Sequence, residues 1–323
     1  MREAWPWIEV PHGSEKRTPC GSEPQGVRFS EVGRGNIETS AALHNYVNQP
    51  FWIQGFLCLA IVMATSAAAE DSHVRARLVA DVAELRAGES FHLGVLLEPE
   101  PGWHVYWRNP GEAGLATEIA YDLPDGFEVN ELLWPAPISF EQSDGIGGYG
   151  YEDPVVLAAE VTASDRVPSS VPVTVTASWL ACKGVCILGS AKLEAVLPLK
   201  GAELAVSRAA IETWSETLPM VLEPDLLDLS VTGGPVPLKG AIDMVAWLRW
   251  KSAPGAVEFF PDPGPGLKVE GVRVQNRGNL TRIDFNISRL NSSGDPATVL
   301  RSLIVIEDER GKRSARVAHI ELD

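Results

Sequence analysis

Val74-Arg75-Ala76-Arg77-Leu78-Val79-Ala80-Asp81-Val82 sets Val74, Ala76, Leu78, Ala80 and Val82 on one side of an extended chain and Arg75, Arg77 and Asp81 on the other. A period of two is the pattern of a strand with one face buried and one in water. Working outward, further short apolar runs predict strands over 91–97, 103–108, 117–121, 129–134, 155–161, 171–179 and 191–197. Turn clusters such as Glu100-Pro101-Gly102, Asn109-Pro110-Gly111 and Pro124-Asp125-Gly126 separate them. Short strands at this spacing predict an immunoglobulin-like β-sandwich over 70–199.

Residues 200–219 break the rhythm. Leu204, Ile211, Trp214 and Leu218 recur at helical spacing, which predicts a short helical connector. Strand-like runs then resume at 226–231, 242–250, 257–260, 267–275, 280–287, 300–307 and 315–322, predicting a second β-sandwich over 220–323. The expected class is therefore mainly β, with two tandem sandwich domains. A length of 323 residues, 29 Gly and 24 Pro agree with two turn-rich domains.

The formal charge of −16 repels polyphosphate and anionic lipid, so no nucleic-acid partner is expected. Residues 51–69, FWIQGFLCLAIVMATSAAA, form the one strongly apolar stretch. Its core is too short to span a bilayer and it ends in small residues before Glu70, the pattern of a cleavable signal peptide. The polar, aperiodic stretch 1–50 reads as a disordered or misassigned N-terminal extension. Retention of the apolar run as a membrane tether is the other reading; Cys58 after bulky Leu57 argues against a lipoprotein. Export to the periplasm, with no stable membrane insertion after cleavage, is the expectation.

Cleavage after Ala69 would remove Cys20 and Cys58 and leave Cys182 and Cys186. In an extended strand, residues four apart lie roughly 13 Å from each other, whereas a disulfide needs Cα atoms within about 7 Å. The chain must turn between them, and Gly184 supplies the freedom to do so. A structural staple is one reading. A loop this short contributes only roughly 2 kcal/mol in the chain-entropy model, which favours the alternative, a redox couple. Lys183 is a cation adjoining Cys182 and would favour thiolate, or is a solvated turn residue. Trp179 would pack over the sulfurs or belong to the core.

Two cysteines supply half of a tetrahedral zinc set, with no histidine near them in sequence. A Met-rich copper(I) surface is missing, because only Met220 and Met244 follow the leader. His73, His92 and His104 read as strand or surface histidines rather than ligands. No cofactor and no metal site is expected, although copper(I) handling by the dithiol stays open. Gly145-Ile146-Gly147-Gly148-Tyr149-Gly150 precedes no helix, so it reads as a mobile loop and not a phosphate cradle.

Four motifs in order carry a resemblance: Pro101-Gly102-Trp103-His104-Val105-Tyr106-Trp107-Arg108-Asn109-Pro110-Gly111-Glu112-Ala113-Gly114-Leu115, Leu133-Trp134-Pro135-Ala136-Pro137, Gly148-Tyr149-Gly150-Tyr151-Glu152 and Trp179-Leu180-Ala181-Cys182-Lys183-Gly184-Val185-Cys186. Together they resemble the N-terminal periplasmic domain of DsbD-type thiol:disulfide interchange proteins, particularly the ScsB branch. The resemblance implies an immunoglobulin-like domain in which Cys186 attacks partner disulfides and Cys182 resolves the mixed disulfide. It places a shielding cap at 143–152, with Tyr149 and Tyr151 as its aromatics. Leu188-Gly189 stand where the family carries Pro-Glu, a departure from its site pattern. No transmembrane bundle or thioredoxin-like domain is recognised. The implied partners are thioredoxin-like periplasmic proteins or a membrane thiol–disulfide transporter acting in trans. A non-catalytic periplasmic binding module with a structural disulfide is the competing function.

Overall fold

The computed structural model describes residues 73–141, 147–264, 266–290, 299–308 and 310–322. The expected N-terminal extension, the expected leader and positions 143–146 of the expected cap lie outside them.

Among the described residues ten strands precede helix α1 (Gly201–Ser215): β1 (Val74–Ala80), β2 (Ser90–Pro99), β3 (His104–Gly111), β4 (Glu118–Asp122), β5 (Glu128–Val129), β6 (Ile138–Glu141), β7 (Gly147–Tyr151), β8 (Val155–Thr162), β9 (Val171–Lys183) and β10 (Val185–Leu197). They form two facing sheets. One has the order β1-β2-β8-β5; the other runs β10-β9-β3-β7-β6, with β4 also paired to β9. Between them lie Leu93, Val95, Leu97, Val105, Trp107, Leu157, Val175 and Trp179, all buried. This is an immunoglobulin-like sandwich whose inward residues alternate along each strand.

Helix α1 (Gly201–Ser215) follows. Its apolar stripe is not left bare as a mere tether: Ile211 and Trp214 cover Val79, Val156 and Ala158 on the outer face of the β1-β2-β8-β5 sheet. The Arg208 guanidinium also donates to the Asp81 carbonyl (3.0 Å). That explains why Val79 is buried although the period of two sends it outward.

After α1 the described residues form eight strands: β11 (Met220–Val221), β12 (Leu227–Thr232), β13 (Ala241–Trp250), β14 (Ala256–Asp262), β15 (Leu267–Arg277), β16 (Leu280–Arg289), β17 (Val299–Glu307) and β18 (Arg313–Glu321). The sheets β11-β18-β17-β14 and β12-β13-β16-β15 enclose Leu248, Ile283, Phe285, Ile287, Leu300 and Ile304. The two sandwiches share apolar contact: Phe260, Leu303, Val305 and Ala315 of the second belong to the core of the first. Among the described residues no helix is long and apolar enough to cross a membrane.

Two strand expectations change. The run 129–134 is strand only at Glu128–Val129, with one further bridge from Leu133 to Ala158. Pro135 and Pro137 lack the N–H that would continue a ladder, and the chain here turns Trp134 into the core. The glycine-rich segment expected as a mobile loop contains a strand, β7, from Gly147 onward. Its glycines are there for room. A Cβ at Gly148 would strike the Phe140 ring, and one at Gly150 would strike the Val105 carbonyl. Glycine inside a strand marks such a close approach.

Candidate functional site

Strands β9 and β10 form a long hairpin whose register runs from Val171 opposite Leu197 to Lys183 opposite Val185. The chain reverses at Gly184, whose φ of +71° is a conformation that glycine adopts without steric cost. This reversal sets Cys182 directly opposite Cys186, with Cα atoms 4.1 Å apart and the sulfurs bonded. The turn inferred from the spacing is thus a hairpin tip, and the disulfide links cross-strand neighbours.

The two sulfurs have unequal surroundings. Cys182 is 2% exposed, whereas Cys186 is open to solvent on the sheet's edge strand β10. On the inner side β9 pairs with β3, with His104 opposite Cys182. Residues opposite each other share a face, so Cys186, Cys182, His104 and, two residues on, Tyr106 line one face of the sheet. The Tyr106 hydroxyl donates to Cys182 Sγ at 3.4 Å. Burial raises the pKa of Tyr106, so at neutral pH it keeps the proton it donates.

Phe140 of β6 completes the cluster. Its ring lies 3.8 Å from that of His104 and 5.6 Å from that of Tyr106, centroid to centroid. The rings of His104 and Tyr106 meet edge-on at 5.4 Å. Glycines make the space: a Cβ at Gly114 would overlap the Tyr106 ring, as one at Gly148 would overlap Phe140. His104 is 8% exposed and its Nε2 has no hydrogen-bond partner among the described residues. Burial lowers its pKa and keeps the imidazole neutral.

Of the supporting residues expected from the sequence, Lys183 stands beside Cys182 at the hairpin tip, whereas Trp179 takes its core reading and Tyr149 and Tyr151 also pack toward the core. Trp179 is 2% exposed within the core, three positions before Cys182 on β9 and therefore on the opposite face of the sheet. It lies beneath the hairpin rather than over the sulfurs. Tyr149 and Tyr151 also point to the core side, because Tyr151 stands opposite inward-facing Val105. Tyr149 meets the Phe260 ring edge-on at 5.2 Å, and the Tyr151 hydroxyl donates to the Pro135 carbonyl at 2.8 Å. The Lys183 ammonium donates to the Pro101 carbonyl at 2.7 Å, tying the hairpin tip to the turn before β3. The rings on the disulfide's face are those of His104, Tyr106 and Phe140. Sequence reading named His104 only as a strand histidine and passed over the other two. The available signal was parity: once His104 is set opposite Cys182, every second residue of β3 shares its face.

Residues 75–198 match the family model described as "Thiol:disulfide interchange protein DsbD, N-terminal". Among solved structures, the chain is similar to the N-terminal periplasmic domain of ScsB from Proteus mirabilis, with 20% identity and a TM-score of 0.58. That alignment covers 78% of this chain and 95% of the other. A conserved domain protein from Bacillus anthracis aligns over 79% of the chain at 12% identity, but its TM-score of 0.17 carries no structural argument. No curated protein matches the sequence. Residues 75–198, which hold the disulfide hairpin and the rings of His104, Tyr106 and Phe140 on its face, are thus similar to the DsbD N-terminal domain of thiol:disulfide interchange proteins.

Proposed function

We propose that the Cys182–Cys186 pair is a redox couple that passes electrons between a donor acting in trans and exported client proteins. The observation that supports this reading is the asymmetry of the pair: an exposed sulfur on Cys186 beside a buried one on Cys182 that already accepts a hydrogen bond from Tyr106. A thiolate of the donor attacks Cys186 Sγ, the bond to Cys182 breaks, and its electron pair leaves on Cys182 Sγ. The Tyr106 hydroxyl stabilises that thiolate as it forms; a better-stabilised leaving thiol departs faster. The donor's second thiolate then attacks its own sulfur in the mixed disulfide and releases Cys186. The donor is oxidised to a disulfide and the pair is reduced by two electrons, with two protons taken from solvent.

The reduced pair repeats these steps in reverse on a client. Cys186 attacks and Cys182 resolves. Donor and client are thioredoxin-like proteins or a membrane thiol–disulfide transporter, and the compartment is the periplasm. The family match and the sequence of 51–69 support this placement. In this reading Lys183 adds positive charge near the tip, while Trp179, Tyr149 and Tyr151 hold the strands that carry the site.

Replacing Cys182 by Ser tests the proposal. Exchange predicts that Cys182→Ser accumulates mixed disulfides through Cys186 with periplasmic proteins, and that Cys186→Ser accumulates none. If neither variant traps a partner and a Cys182→Ser/Cys186→Ser double variant keeps full activity in cells, the pair is a structural staple of a binding module.

A further inference from the structure

The second sandwich carries no cysteine, yet one of its strands lies along the strands that build the disulfide's face. Residues of β14 reach β6, β7 and β3 in turn. Glu258 receives the Ser139 hydroxyl of β6 (3.3 Å), Phe260 meets Tyr149 of β7 and Trp107 of β3, and Asp262 pairs with Arg108 of β3 (2.7 Å). Arg313 of β18 fastens the entry to β6: the same Nη2 donates to the Pro137 carbonyl (2.8 Å) and to Glu258 (2.6 Å).

These contacts matter because β6 and β7 make a weak ribbon. Strand β6 is the edge of its sheet, spans only Ile138–Glu141, follows two prolines and pairs with a glycine-rich partner. A two-stranded ribbon of this kind has marginal stability alone. Alternation then gives its two faces different neighbours. Ser139 and Tyr149, opposite each other, meet the second sandwich. Phe140, opposite Gly148, points the other way onto His104 and Tyr106.

We infer that the second sandwich is the positioning element of the redox site, with Arg313, Glu258 and Phe260 holding the β6–β7 ribbon so that Phe140 keeps the Tyr106 hydroxyl on Cys182 Sγ. These are positioning residues that act through Phe140 and Tyr106, and the inference rests on the exchange reading of the pair. Without the hold on the ribbon, the Cys182 thiolate loses its donor, its thiol pKa rises, and attack on Cys186 slows.

The test uses the whole chain and dithiothreitol as the reductant. Arg313→Ala/Glu258→Ala should slow reduction of Cys182–Cys186 by about fivefold, the scale on which residues in contact couple. It should also raise the pH at which Cys182 becomes reactive to iodoacetamide. Arg313→Lys, which keeps a donor at Pro137 and Glu258, should restore the parent rate. Phe140→Ala should slow reduction to a similar extent, and adding Arg313→Ala/Glu258→Ala to it should have little further effect. Lys251→Ala, which removes the exposed Lys251–Asp228 pair elsewhere in the second sandwich, is the control for general loosening. Rates within twofold of parent in the double variant, or an effect matched by Lys251→Ala, or one that adds fully to that of Phe140→Ala, would overturn the inference. Trapping by Cys182→Ser is scored separately: loss of trapping with the rate pattern intact refutes exchange with partners while the positioning stands.

Discussion

The two sandwiches use similar materials in opposite ways. In the second, strands such as β13 and β16 alternate strictly: Met244, Ala246, Leu248 and Trp250 face Ile283, Phe285 and Ile287, while Asp243, Arg282 and Asp284 remain on the wet side. In the first, the sheet bearing the hairpin covers both faces. Val105 and Trp107 enter the core while His104, Tyr106 and Phe140 cluster on the reverse. A sheet with one apolar face only holds itself together. A sheet with a second, aromatic face made possible by glycines has somewhere to place a buried sulfur and a hydroxyl donor.

The sharpest way to break this contrast is to cut each core at one phenylalanine. Phe285→Ala and Phe260→Ala should each cost about 3–5 kcal/mol, as large-to-small core changes do, measured by urea denaturation. Phe285 belongs to the second core alone, so its loss should leave disulfide reactivity unchanged. Phe260 lies in the first core although its strand belongs to the second sandwich, so its loss should change both. Because Phe260, Leu303, Val305 and Ala315 of the second sandwich complete the core of the first, thermal unfolding of the parent should show one transition; two separated transitions would show that this contact contributes little.

Glycines give the next largest effect. Gly150→Ala places a methyl against the Val105 carbonyl and should cost about 3 kcal/mol as overpacking. Gly271 sits at the β15 bulge with φ +62° and open space around it. Gly271→Ala should cost only about 1 kcal/mol, the backbone penalty of a left-handed conformation. Equal losses in chemical denaturation would erase the distinction between glycine kept for space and glycine kept for conformation.

Tyr106→Phe leaves the packing and removes the hydroxyl. A hydrogen bond to a charged group contributes about 1.5–3 kcal/mol, so reduction by dithiothreitol should slow by roughly tenfold or more if the Cys182 thiolate depends on it. An unchanged rate would make the contact a passive one.

The smallest effects are those of pH on two histidines of the first sandwich. The hydrogen bond to Asp81 raises the pKa of His92. Its contribution to stability is full below the unfolded value of about 6.5 and fades as pH rises through the raised folded value. Burial depresses the pKa of His104. Its contribution is present above about 6.5 and is lost on acidification, when the unfolded chain takes up the proton. His92→Gln should therefore flatten the alkaline side of the stability profile between about pH 5 and 8, and His104→Gln the acid side, each by less than about 1 kcal/mol. Urea midpoints across that range check the signs; a parallel response of the two variants would refute them.

The same contrast explains what was legible in the sequence. All seven strands read in the second half are present, because one buried face writes itself as a period of two. So is the hairpin reversal at Gly184, which the distance between two bonded cysteines demands. The β6–β7 ribbon was not legible. Isolated glycines carry the signature of a loop, and their reason for being in a strand lies in the Phe140 ring and the Val105 carbonyl, which are remote in sequence. The faces of Trp179, Tyr149 and Tyr151 were hidden for a related cause: a one-residue change of register exchanges the two sides of a strand, and only the pairing of β3 with β7 and β9 fixes it.

The hairpin ladder has a kinetic corollary. Cys182 and Cys186 lie 4.1 Å apart at Cα near the end of the β9–β10 ladder, whose pairing runs from Val171 opposite Leu197 to Lys183 opposite Val185 and so joins the strands well beyond the bond between the sulfurs. When Cys186 is bound to a client, Cys182 therefore waits beside it at the high effective molarity of a preorganised intramolecular nucleophile. On the exchange reading the mixed complex is short-lived by construction, and turnover is governed by encounter with the client rather than by its release.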